Sequence, residues 1–145
     1  MNASKPTPSS RVPHWPLLLA GVAAAVLMPL AAAHAAPPAE LLAAYTKAAG
    51  APASAERGQK LFTTQGKGDF EWSCSTCHTS DPTKEGKHAI SGKAIPPLAP
   101  SANKERFTTR TKVEFHFTLN CKDVLTRECT AAEKADVMAW LLSFK

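Results

Sequence analysis

The chain has 145 residues, enough for one domain. It carries 17 basic and 12 acidic residues, and two of the basic ones fall in the first 35, which leaves a net charge of +3 on the remainder. A charge that small and that dispersed gives no case for a nucleic-acid partner.

Lys5 and Arg11 are the only charged residues before Glu40. Residues 17–33 form an uncharged run rich in Leu, Ala and Val, and it closes on Ala33-His34-Ala35. A basic head, an apolar middle and small residues around the exit predict a secretory signal peptide over residues 1–35. The alternative is a retained membrane anchor, for which 17 residues is at the short end. Cleavage after Ala35 leaves a single domain at 36–145, exported to the periplasm, where disulfides are permitted.

Helix formers fill 39–49, with Leu41, Leu42 and Tyr45 at helical spacing, and Gly50 and Pro52 end the segment. Ser54 is placed to cap a second helix over 55–63. Gly58 on it is expected to allow close approach to the Trp140 region of the last helix. From 79 to 101 the chain reads as loop, with Pro82, Gly86, Gly92, Pro96, Pro97 and Pro100. A structureless stretch of that length makes sense if it wraps a bound group. A short helical piece is expected at 101–107.

Thr111 and Glu114 have capping-box spacing and predict a helix over 112–120. The same residues also alternate, Val113, Phe115, Phe117 and Leu119 against polar neighbours, as a strand would. Thr130 and Glu133 form a second capping box, which opens an apolar helix over 131–144 with Val137, Met138, Trp140, Leu141 and Phe144. The fold class is all-α.

The chemistry lies in Cys74-Ser75-Thr76-Cys77-His78. Cys-x-x-Cys-His is the attachment sequence of a c-type haem. Two thiols one helical turn apart reach the two vinyl groups on one porphyrin edge. The adjoining His78 then lies under the iron as proximal ligand. A thioredoxin-type pair would need a strand-to-helix setting that the flanks do not offer. A zinc site would need a second close cysteine pair, but Cys121 and Cys129 are separated by seven residues. In an exported chain they read as a disulfide, and closing that loop restricts the unfolded chain by about 2.5 kcal/mol.

A sixth ligand decides what such a haem does. Met138, the only methionine after the signal segment, sits among core positions expected to face the 55–63 helix. His88 reads as a loop residue. His116, between two phenylalanines, is a candidate, as is Asn120 one turn later, although an asparagine in an apolar stripe is more often a hydrogen-bonding residue.

The run from Asn120 and Cys121 through Cys129 to Leu142, the segment 92–100 and the Cys74–His78 motif together resemble the sphaeroides haem protein class of cytochromes. The similarity covers most of the mature chain. The resemblance implies a class I cytochrome c fold around one covalent haem c. It also implies Asn120 as a ferric ligand that leaves on reduction, and Cys121–Cys129 as the disulfide beginning beside it. It implies binding of oxygen or nitric oxide by the open iron, with a dihaem cytochrome c as electron donor and a membrane cytochrome b beyond. A neutral amide oxygen suits ferric iron better than ferrous iron, and Val113 and Phe117 are expected to line the vacated pocket.

Two other functions compete. A plain electron carrier keeps a permanent sixth ligand from His116, His88 or Met138. A dedicated enzyme needs a distal acid or base, for which His116 is the only obvious residue. Lys84, Lys87, Lys93 and Lys104 offer a basic face for an acidic partner, or simply a solvated surface.

Overall fold

The computed structural model describes residues 38–68 and 70–145; the predicted signal segment and its boundary at residue 35 lie outside them. In chain order the elements are α1 (Pro38–Ala49), α2 (Ala55–Thr63), α3 (Cys74–His78), a two-stranded antiparallel ladder of β1 (Gly86–Lys87) and β2 (Ala94–Ile95), α4 (Arg110–Leu125) and α5 (Ala131–Ser143). The expected all-α class holds. No helix among the described residues is long and apolar enough to cross a membrane.

The terminal helix α5 organises the core. Thr130 Oγ1 accepts from the Glu133 N–H at 3.2 Å, and the Glu133 carboxylate accepts from the Thr130 N–H at 2.8 Å, so the predicted capping box forms. Arg127 then clasps both Glu133 oxygens, at 2.7 and 2.8 Å. Beyond the cap, α5 is apolar on two sides. Ala135 and Met138 meet Leu41 and Tyr45 of α1 and Val113 of α4. Val137, Trp140 and Leu141 meet Phe62 of α2. Met138 is fully buried, but against α1 and α4 rather than against the 55–63 helix as expected.

Ser54 caps α2 as predicted, accepting from the Arg57 N–H at 3.2 Å. Gly58 is where α2 and α5 nearly touch: a Cβ there would collide with the backbone carbonyl of Asp136. The contact is one turn ahead of Trp140, close to where the sequence placed it. Phe62 and Trp140 fill the space beside it, with ring centroids 4.8 Å apart.

Asp136 is 6% exposed although charged, and its partners are all on the α2 side. It accepts from the Ser54 N–H at 2.6 Å and from two nitrogens of Arg57 at 2.7 and 2.8 Å. Removing it leaves a backbone donor and a guanidinium without their acceptor. Asp136→Ala should therefore cost about 2–3 kcal/mol in denaturant unfolding, whereas loss of a solvated surface pair would cost under about 1 kcal/mol.

Several expectations are corrected. The capping box at Thr111 does not form. The helix starts earlier, at Arg110 behind Thr109, and Glu114 is engaged by Tyr45 and Lys134 instead. It also runs on past residue 120 to Leu125, where Thr126 adopts a left-handed φ of 59° and ends it. The 79–101 segment is not wholly irregular, since it contains the β1–β2 ladder, and 101–107 is a series of turns rather than a helix.

Candidate functional site

The attachment motif forms its own short helix, α3, entered through Ser73, whose N–H donates to Thr76 Oγ1 at 3.0 Å. Cys74 and Cys77 are free thiols, both half-buried. Directly after His78 the chain turns through Thr79, at φ 61° and ψ 162°. Such a backbone costs on the order of 1–3 kcal/mol for a residue with a side chain. Thr79 Oγ1 holds the turn by donating to the Asp81 carbonyl at 2.6 Å. The β ladder then folds back over the motif. Gly86 lies so close to the Cys77 carbonyl that no Cβ fits, and the Ala89 N–H donates to Cys77 Sγ at 3.3 Å.

Cys74, Cys77 and His78 line a cavity of about 80 Å³, and Asn120 of α4 lines the same cavity, together with Trp72, Ile95 and Val124. It adjoins a wider space of about 310 Å³ at the surface, and both are bordered by Trp72, His88 and Asp123. Phe70 and Ile90 stand at that mouth, 64% and 71% exposed. Among the described residues no hydrogen bond engages the Asn120 side chain, so it is uncommitted. Val113 and Phe117, expected as pocket lining, are drawn into the core instead, because Tyr45, Met138 and Trp140 cover that face of α4.

The residues fit a haem. The His78 Nδ1 is buried and has no hydrogen-bond partner among the described residues. A buried polar atom without a partner is costly unless a further group satisfies it, and a bound prosthetic group would supply a reason for it here. Burial first, then the charges of Arg106 and His116, hold the His78 imidazole down to about 4. It is neutral at physiological pH, the form that ligates. Burial pushes the Cys74 thiol up to about 11, the opposite of the lowered value that a redox-active Cys-x-x-Cys needs. Exposed apolar side chains at the mouth suit a large apolar group seated against them.

Of the other candidates, His88 borders the cavity and the rest lie away from it. Cys121 and Cys129 are joined in a disulfide with Cα atoms 5.6 Å apart, which removes them from any zinc site. It ties α4 to the entry of α5. His88 is exposed in the turn of the β ladder, where its Nδ1 accepts from the Ile90 and Ser91 N–H groups at 3.3 and 3.2 Å. His116 is exposed on α4, outside the cavity lining. Lys84, Lys87, Lys93 and Lys104 are all exposed. Trp72, Ile95 and Asp123 were not singled out from sequence, whereas Val124 was, on one helical face with Val113, Phe117 and Asn120. Gly66 and Gly68, read from sequence only as loosening the chain, pack against the backbone of Asp123 and Val124.

A family model described as a domain of unknown function (DUF1924) matches residues 48–141. The chain is 52% identical over 107 residues to the cytochrome c-type protein SHP of Cereibacter sphaeroides, covering 72% of this chain and 81% of that protein. It is 46% identical over 85 residues to cytochrome c'' of Methylophilus methylotrophus, covering 59% of this chain and 57% of that one. In three dimensions it is similar to oxidized SHP, described as an oxygen-binding cytochrome c, with a TM-score of 0.68 at 50% identity, over 73% of this chain and 96% of that one. Against oxidized cytochrome c'' the TM-score is 0.69 at 37% identity, over 74% and 94% of the two chains. A Cys-x-x-Cys-His helix facing a cavity, on a fold and a sequence shared to this extent, places the chain in the SHP family of cytochromes, which carry a single haem c.

Proposed function

We propose that the chain holds its haem c through thioethers from Cys74 and Cys77, with His78 as proximal ligand and Asn120 as a distal ligand that leaves on reduction. The vacated position then takes a diatomic gas, oxygen or nitric oxide. The observation that carries this reading is the shared cavity: His78 on α3 and the uncommitted amide of Asn120 on α4 line one small space. SHP is described as oxygen-binding, and a solution structure of cytochrome c'' as giving insight into haem-ligand detachment, which is the chemistry proposed for this chain. A neutral amide oxygen binds ferric iron in preference to ferrous iron, so reduction weakens it. The apolar lining from Trp72, Ile95 and Val124 suits a small uncharged ligand.

The electron comes from a partner, by the family resemblance a dihaem cytochrome c supplied by a membrane cytochrome b. The exposed Lys84, Lys87, Lys93 and Lys104 support an acidic docking partner. The first 35 residues direct the chain to the periplasm, or anchor it in the membrane if they are retained.

His116 carries a second reading. It lies one turn before Asn120 on α4. A permanent imidazole ligand from it would make the protein a plain electron carrier. Optical spectra of the ferrous protein with and without carbon monoxide separate the two. A redox-released Asn120 gives a high-spin ferrous spectrum that shifts on adding carbon monoxide. A low-spin spectrum indifferent to the gas would sink the gas-binding reading and leave the electron carrier.

A further inference from the structure

Apolar burial does not by itself fix the rotation of α4. Val113, Phe117 and Val124 point into the protein, but Phe115 and Leu119, on the same helix, are 59% and 44% exposed. A helix with large apolar side chains on both faces gains little from one rotation over another. Its backbone also stands off from α1, α2 and α5, whereas α1 and α2 lie close against α5. Directional contacts must then set the angle at which Asn120 is presented.

Those contacts gather on Glu114, six residues before Asn120. The hydroxyl of Tyr45, a side chain of α1 that is 4% exposed, donates to Glu114 Oε1 at 2.9 Å. Lys134 of α5 holds the other carboxylate oxygen at 2.7 Å. The Lys134 ammonium also lies 5.7 Å from the Tyr45 ring centroid and 5.8 Å from that of Phe117. Tyr45 and Phe117 meet edge to face at 5.9 Å. One carboxylate thus ties α4 to two helices at once. The far end is held separately, by the Cys121–Cys129 disulfide and by the close seating of Gly66 against Val124.

We infer that the Tyr45–Glu114–Lys134 cluster is a latch that sets the rotation of α4, and that Glu114 and Tyr45 are therefore positioning residues for the distal ligand. The inference rests on Asn120 as that ligand. Loosening the latch lets α4 turn, and Asn120 holds ferric iron less often. Ferrous iron, which Asn120 has left, is unaffected. The reduction potential therefore rises.

The test uses holoprotein with Tyr45→Phe, Glu114→Gln and Asn120→Ala, alone and combined. Tyr45→Phe keeps the ring and removes one hydrogen bond. Glu114→Gln keeps the shape and removes the charge. Each is expected to weaken ferric ligation about tenfold, raising the potential by about 59 mV. Each should also move the ferric optical spectrum part of the way toward that of Asn120→Ala. In the Asn120→Ala background both shifts should vanish, since no ligand remains to be positioned. Latch variants that lower the unfolding midpoint but leave ferric spectrum and potential unchanged, while Asn120→Ala alters both, would overturn the latch and spare the ligand reading. An inert Asn120→Ala would remove the ligand reading and the latch with it. Shifts that persist undiminished without Asn120 would also overturn the latch, by showing that the cluster acts on the iron by another route.

Discussion

Gly58→Val should lower the denaturation midpoint of the holoprotein strongly, by about 3 kcal/mol or more of unfolding free energy. The new Cβ meets the carbonyl oxygen and carbon of Asp136 and lies 2.8 Å from the Val137 nitrogen. All three are backbone atoms inside α5, so no rotamer change relieves the clash. The helices must separate. Separation breaks the Phe62–Trp140 contact at 4.8 Å and lengthens the three short bonds to Asp136 from Ser54 and Arg57. Overpacking alone costs roughly 1–3 kcal/mol, and damage to a buried charged network adds to it. Gly58→Ala is a milder form, since the better helix propensity of alanine offsets about 1 kcal/mol of the clash. Gly50→Ala makes a useful contrast. Its backbone is at φ +65° but nothing stands within 4 Å of a Cβ, so it should cost about 1 kcal/mol from backbone strain alone. Guanidinium unfolding followed by far-ultraviolet circular dichroism measures all three. Equal midpoints for Gly58→Val and the parent would show that α2 and α5 are not locked together at this point.

That contact was partly legible beforehand, and the reason is local. A glycine inside an amphipathic helix, followed by Leu61 and Phe62, signals a close approach whatever the partner. The caps at Ser54 and Thr130 were legible for the same reason, because their signals span three residues. Long-range polar pairing was not. Asp136 in an otherwise apolar helix finds Arg57 at 79 positions' distance, and Glu114 finds Tyr45 at 69. The second of these also explains the misplaced start of α4. Glu114 had the spacing of a capping residue, but a buried tyrosine hydroxyl and a lysine hold its carboxylate better than an exposed backbone end would. The β ladder escaped notice because two-residue strands have no periodicity to read. At the site, Cys74, Cys77 and His78 stand out by spacing alone. Val124 was legible as a neighbour of Asn120 on one helical face, but Trp72 and Ile95 reach the cavity only through the fold, and Asn120 was favoured as a ligand through the family resemblance rather than through the physics of an asparagine in a helix.

The division between α5 and α4 has a functional meaning. Packing on α5 is close and apolar, with Gly58, Phe62 and Leu41 seated directly on it. Such an interface has one arrangement and resists change. Helix α4, which carries Asn120, is held by side chains and a disulfide, and interfaces of that kind tolerate small rotations. On the proposed ligation, His78 stands on a motif pinned by Thr79 and Gly86 while Asn120 stands on a helix held mainly through side chains, an asymmetry that suits a ligand released on reduction.

Asn120→Ala should accordingly separate ligation from stability. The side chain is half-buried and carries no hydrogen bond among the described residues, so its removal should change the unfolding free energy of the ferrous protein, whose iron it has left, by less than about 1 kcal/mol, while the ferric protein also loses the ligation energy. The ferric state should respond strongly. With the amide gone, the ferric optical spectrum should move to that of an iron open to water. The ferrous spectrum should stay as in the parent, because Asn120 has already left it. Loss of a ligand that favours ferric iron also raises the reduction potential, by about 59 mV for each tenfold of preference removed, so a hundredfold preference appears as about 120 mV. This asymmetry is specific to a ligand that leaves on reduction. A permanent ligand would alter both oxidation states when removed, and a residue that only lines the pocket would alter neither by much. His116→Ala, measured in parallel, completes the comparison. A parent-like ferric spectrum in Asn120→Ala, together with changes in both oxidation states for His116→Ala, would transfer the distal position to the imidazole one turn earlier on α4. The molecule would then be an electron carrier with two histidine ligands.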